Sequence, residues 1–234
     1  MYIPNILHGV LLRVTQQTTG LIINSKYPLI TEISLIAVGR DAFCEENVKE
    51  LPRVLHKIVL PVNPNIQIPE NVQKITNLTN NNLKKTNTFD IGVCEILTNF
   101  LNRFEKPACF VAHNGNSFDY PIFINQILST NQLHMLEGVL CIDSLELFKY
   151  YFNSSYLMDN SDQSCNKPAN YRLGTLYEHI LGNKPENTHS AEGDCLNLLK
   201  CAFKLTDFFL KWSDEKAVPV LTLQKKLSLK TIVN

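Results

Sequence analysis

Residues 111–121, Val-Ala-His-Asn-Gly-Asn-Ser-Phe-Asp-Tyr-Pro, decide how this chain is read. An apolar, strand-like run from Ala108 ends at Ala112 and meets Asn114-Gly115-Asn116, residues that tolerate the backbone conformations of a tight turn. A helix then begins near Asp119. Strand, turn and helix in this order put a carboxylate at the end of a strand, where α/β proteins place their sites. Taken alone, Asp119 also fits a helix N-cap, since its side chain accepts from the free N–H groups of a first turn.

Outward from this stretch, β-branched apolar runs at Val10–Val14, Ile33–Val38, Val54–Val62 and Val139–Ile142 join Ala108–Ala112 to predict five strands. Helical spacing appears at Ile91, Cys94, Leu97, Leu101 and Phe104. It returns at Cys195, Leu198, Leu199, Ala202, Phe203, Leu205 and Phe209, which read as one long amphipathic helix. Three strands followed by alternating helix, strand and helix predict a mixed α/β sheet flanked by helices, in one domain over residues 1–234. Residues 153–170 are polar without periodicity and read as a mobile loop. Asn71–Asn87, rich in Asn and Lys, reads as a second irregular stretch.

A second polar cluster, His189-Ser190-Ala191-Glu192-Gly193-Asp194, opens the long helix. Cys195, Leu198 and Leu199 face the core beside Asp194, so its carboxylate sits at the edge of the buried stripe and needs a partner. A metal ion, a cap and an ion pair all satisfy that need. Asp143-Ser144-Leu145-Glu146, after the last predicted strand, fits a capping box.

Composition narrows the class. Lys plus Arg balance Asp plus Glu at 22 each in 234 residues, so any contact with nucleic acid is local and not driven by global charge. Seven cysteines without a C-x-x-C pair fit neither a disulfide framework nor a structural zinc site. They point to a reducing compartment, cytoplasmic or nuclear. The longest apolar runs fall short of the roughly 20 residues needed to span a bilayer, so a soluble chain with no membrane partner is expected.

Together, TTGL (18–21), ITEISLIAV (30–38), VAHNGNSFDYP (111–121), YRLGTLYEHILG (171–182) and HSAEGD (189–194) resemble the three-prime repair exonucleases, a branch of the DEDDh superfamily. The resemblance covers about Thr18 to Trp212. It implies an RNase H-like fold and metal-dependent 3'-5' removal of terminal nucleotides from single-stranded or frayed DNA 3' ends. It also implies two Mg²⁺ ions, with Mn²⁺ as an alternative, and a homodimer paired through sheet edges. Asp119 and Asp194 match metal ligands and His189 the general base. Thr18, Gly20, Leu21, His113 and Phe118 fall at substrate-binding positions. The chemistry suits these residue types, since Mg²⁺ prefers hard oxygens and two metals stabilise the attacking and leaving oxygens of a phosphodiester displacement.

The family's first motif, Asp-x-Glu-x-Thr-Gly, is degenerate here, with Thr15 and Gln17 at its acidic positions. Neutral oxygens bind Mg²⁺ far less strongly than carboxylates, so the chain as written is expected to be inactive or strongly impaired. Arg13 also falls inside the central strand, where an unpaired charge is costly. Three readings stand at this point. One is an exonuclease whose residues 1–17 are not its natural beginning; another binds nucleic-acid ends or a protein partner without cutting; the third is an enzyme with a rebuilt metal site.

Overall fold

The structure, a computed structural model, describes residues 10–24, 26–45, 51–153 and 167–224, and of residues 10–16 the backbone. Its sheet is built from β1 (Val10–Thr18), β2 (Ile30–Gly39), β3 (Val54–Pro61), β4 (Ala108–Ala112), β5 (Val139–Asp143) and the two-residue β6 (Val218–Pro219). The strands lie in the order β3-β2-β1-β4-β5-β6. Neighbours on the β3 side are antiparallel, whereas β1, β4 and β5 run parallel. The predicted mixed sheet is therefore present, with its five long strands where the apolar runs placed them and a short sixth at one edge.

Alternation along the central strands feeds two cores, because successive side chains of a strand point to opposite faces. Ile33, Leu35 and Ala37 of β2 join Ala108, Phe110 and Ala112 of β4 on one face. Ile36 and Val38 join Cys109 and Val111 on the other. The first face is covered by α3 (Ile91–Leu101) and α4 (Asp119–Ser129), which contribute Leu97 and Phe123. The second is covered by α5 (Ser144–Asn153), α6 (Leu173–Leu181), α7 (Ala191–Lys204) and α8 (Thr206–Lys216), through Phe148, Leu176, Leu198 and Phe209. All five residues of β4 are buried, which is why that run is apolar without interruption. Arg40 clamps α8 to the turn after β2, donating to both carboxylate oxygens of Asp214 at 3.0 and 2.7 Å.

The fold corrects three expectations. Asn71–Asn87 is not irregular: it carries most of α1 (Glu70–Thr76) and all of α2 (Asn80–Leu83). Neither shows in the hydrophobic pattern, since α1 buries no residue and α2 only Leu83. Instead α2 is started by a capping box, in which Thr79 Oγ1 accepts from Asn82 N–H and Asn82 Oδ1 from Thr79 N–H. The long C-terminal helix is two helices, broken at Leu205, whose φ of −115° and ψ of 36° leave the helical region. Finally, the central strand does not stop at Val14. Its backbone runs on to Thr18, with Thr15 opposite Ser34 and Gln17 opposite Glu32 on β2. Arg13 pairs in the same ladder with Ile36 and Val111, and its side chain lies outside the described residues. Residues 154–166, most of the predicted loop, also lie outside them.

Candidate active site

The turn after β4 delivers Asp119 into the sheet's C-terminal edge. Asp119 is the first residue of α4 and Phe118 holds the N-cap position without a side-chain cap. Asp119 is thus not the N-cap residue; it is 6% exposed and lines a cavity. The turn itself is tightly made. A Cβ on Gly115 would stand 2.6 Å from the Ala112 Cβ and 2.7 Å from the Tyr120 ring, so no larger residue fits without displacement. Tyr120 donates its hydroxyl to Phe110 O and Ile142 O, tying α4 back to β4 and β5.

Asp143, at the end of β5, braces the turn from the side. Its Oδ1 accepts from Asn114 N–H and Leu145 N–H, both at 2.9 Å, and its Oδ2 from Asn116 N–H at 3.0 Å. Burial pushes its carboxyl above the usual range, opposed by these three N–H groups, which favour the charged form. The predicted capping box is only half present. Asp143 caps α5, but Glu146 accepts from the Asn116 side chain at 3.1 Å, so both acids serve the turn. His113 completes the brace, with Nδ1 against Ser144 Oγ at 3.1 Å and Nε2 against Tyr171 O at 2.8 Å. It lines the cavity, yet both ring nitrogens are engaged with protein.

The start of α7 supplies the second wall. Ser190 caps it, accepting from Gly193 N–H at 3.0 Å, and Glu32 reaches across from β2 to accept from Ala191 N–H at 2.9 Å. Gly193 is required here, because a Cβ would lie 2.0 Å from Asn187 O. His189 precedes the cap with φ of 66°, a left-handed backbone uncommon outside Gly and Asn, and its N–H is donated to Asp194 Oδ1 at 3.3 Å.

Gln17 closes the arrangement. Its Nε2 donates to Asp194 Oδ2 at 3.4 Å, so both oxygens of Asp194 accept hydrogen bonds. Gln17, Phe118, Asp119, His189 and Asp194 thereby meet around one cavity of about 600 Å³, together with His113, Arg172 and Glu178. Gln17 and Phe118 also border a second, more apolar cavity of about 830 Å³, lined by Thr18, Gly20, Leu21, Tyr27 and Ile75. Within it Leu21 is 72% exposed, whereas Thr18 is buried with its hydroxyl donated to Gly20 O at 2.7 Å. Thr15 contributes backbone pairing to this edge, and its side chain lies outside the described residues.

These residues do not fit a pair of divalent ions. The cavity is lined by three carboxylates, Asp119, Asp194 and Glu178, but no group of three His, Cys, Asp or Glu suited to a metal occurs among the described residues. Glu32 is spent on the α7 N-terminus, and Gln17 turns a donor, not an anion, toward Asp194. Hard cations need the charge that is missing.

Asp143, Glu32 and Arg172 escaped the sequence reading of the site. Asp143 had a signal, an acid at a strand's end; Glu32 and Arg172 lie within ITEISLIAV and YRLGTLYEHILG, but what each faces depends on what lies across the sheet and across the cavity.

Comparison with known proteins bears on this arrangement. Three-prime repair exonuclease 1 of Homo sapiens is 30% identical over 207 residues, 84% of this chain and 64% of that protein, so the chain spans just under two thirds of its length. Three prime repair exonuclease 2 of Mus musculus is 30% identical over 199 residues, 81% of each. The nuclease domain of a DEDDh-family 3' exonuclease solved with rAMP superposes with a TM-score of 0.63 at 11% identity, over 86% of this chain and 92% of that one. Exonuclease I superposes with a TM-score of 0.67 at 14% identity, over 87% and 43%. At these identities the solved structures speak for the fold, which is RNase H-like. Residues 18–202 match the exonuclease family of RNase T. The chain belongs to that exonuclease family, in its three-prime repair branch.

Proposed function

We propose that this protein engages nucleic-acid 3' ends in the cleft between Phe118, Leu21 and His189, and that its removal of terminal nucleotides is lost or strongly reduced. The observation that carries the reading is the Gln17–Asp194 hydrogen bond, an amide donor standing where the family pattern has a carboxylate. DEDDh exonucleases generally use divalent ions, Mg²⁺ above all. In such a site the ions stabilise the attacking and leaving oxygens, and loss of one costs several kcal/mol of transition-state stabilisation, on the order of a thousandfold in rate. What this chain's own residues retain is positioning. Phe118 offers a ring to a terminal base, and Leu21 an exposed apolar edge beside it. His189 is held at the cavity by Asp194.

The relatives named as three-prime repair exonucleases support DNA 3' ends as the ligand class. The test is to incubate the purified chain with end-labelled single-stranded DNA and Mg²⁺ or Mn²⁺, beside the Thr15→Asp, Gln17→Glu variant. The parent should bind without shortening the strand, and the variant should shorten it at least about a thousandfold faster. Metal-dependent shortening by the parent that disappears in His189→Ala sinks the proposal. That result would favour the third reading, a rebuilt and active site, for which the gathering of Asp119, His189 and Asp194 around one cavity speaks.

A homodimer through β3 belongs to the same proposal. Among the described residues β3 is the outermost strand of the sheet and carries Leu55, 54% exposed, so this edge offers backbone groups to a second copy. Sedimentation should return twice the chain mass, and a monomer at micromolar concentration would remove this part. No helix among the described residues is long and apolar enough to cross a membrane. A cytoplasmic or nuclear site of action is part of the proposal.

A further inference from the structure

We infer that Arg172 is the phosphate-binding cation of the cleft, holding a phosphodiester near the strand's end without a divalent metal. This inference rests on the end-binding function proposed above and adds to it how the backbone is held. Among the described residues lining the 600 Å³ cavity, Arg172 is the sole Lys or Arg, facing a space otherwise bordered by Asp119, Asp194 and Glu178. A polyanionic strand entering such a space needs positive charge. Two-metal chemistry would bring that charge with the ions, but the donors here do not fit them.

Arg172 has the means to supply it. Its side chain is exposed, and among the described residues it makes no ion pair or hydrogen bond. A guanidinium presents a planar fork of N–H groups that matches two phosphate oxygens at once and keeps its charge at any working pH. The position is also set. Its backbone N–H is donated to Asn170 Oδ1 at 3.0 Å, and neighbouring Tyr171 is held through its carbonyl by His113. The turn that carries Phe118 and Asp119 is therefore tied to the residue beside Arg172. Because Phe118 borders both cavities, a base resting on its ring in the apolar one leaves its phosphates for the cavity that Arg172 lines. Asp119 and Asp194 would repel that phosphate, and the neutral Gln17 lowers the repulsion relative to a full set of acids.

The inference is tested by fluorescence anisotropy of a short labelled oligothymidylate with a free 3' end, in EDTA, across a salt series. Arg172→Ala should weaken binding about tenfold and flatten the log–log salt slope by about 0.7, the value of one phosphate contact on a single strand. Arg172→Lys should keep the slope and lose part of the affinity, since an ammonium does not fork. Lys184→Ala, at an exposed lysine that does not line the cavity, should change neither appreciably. If the parent binds and Arg172→Ala matches it in affinity and slope, or Lys184→Ala weakens binding as much, the inference fails while the proposed function stands. A parent chain that binds no oligonucleotide overturns both.

Discussion

Two ends of neighbouring central strands meet at this site, and they have fared differently. At the end of β4 the acid, the glycine and the brace are all in place: Asp119 lines the cavity, Gly115 permits the close approach of Tyr120, and Asp143 gathers three backbone N–H groups. At the end of β1 the strand is in place and the acids are not. Backbone pairing carries β1 through Thr15 and Gln17 in register with β2, and past a register shift to Thr18, although the residues there are polar and uncharged. Strand pairing is specified by backbone groups and by the pattern of the partner, so it does not depend on acidic side chains at positions 15 and 17. Carboxylates clustered without a metal repel one another, whereas the Gln17 amide donates to Asp194.

Three changes break or sharpen that comparison. The largest effect is chemical and lies at β1: restoring Asp at 15 and Glu at 17 should bring back metal-dependent shortening, as set out above. The next lies at β4. Asp143→Ala removes the acceptor of three backbone N–H groups and should cost about 3 kcal/mol, read from the denaturant midpoint. A loss below about 0.5 kcal/mol would show that the turn holds itself without the brace. The smallest is Gln17→Glu alone. It places a second carboxylate beside Asp194, within the 3.4 Å contact, and should destabilise the metal-free protein by about 1 kcal/mol. Millimolar Mg²⁺ should offset that loss; equal stability of parent and variant in EDTA would remove the repulsion argument.

Much of the fold was legible before any coordinates. Phe110 and Val111 announce opposite faces of a buried strand by simple alternation, and Leu97 and Leu101 announce a helix by spacing. Elements that bury little left no such trace. α1 and α2 are made by Pro69 and the Thr79–Asn82 capping box, local devices that a hydrophobic count passes over. The break at Leu205 is likewise invisible, because Phe208 and Phe209 keep the apolar count going into the next helix.

The site divides along the same line. From the amino-acid order alone came the family resemblance, Asp119, His189 and Asp194 as candidate residues and the absence of acids at Thr15 and Gln17, since each is a residue type at a place in the chain. The tertiary structure decided what those residues do to one another: that Gln17 donates to Asp194, that Asp143 and Glu146 serve the turn instead of closing a capping box, and that Arg172 faces the cavity. These are contacts between residues far apart in sequence, up to 177 positions for Gln17 and Asp194. They form only when the sheet has brought β1, β4 and the start of α7 to one edge, and no local propensity encodes that meeting.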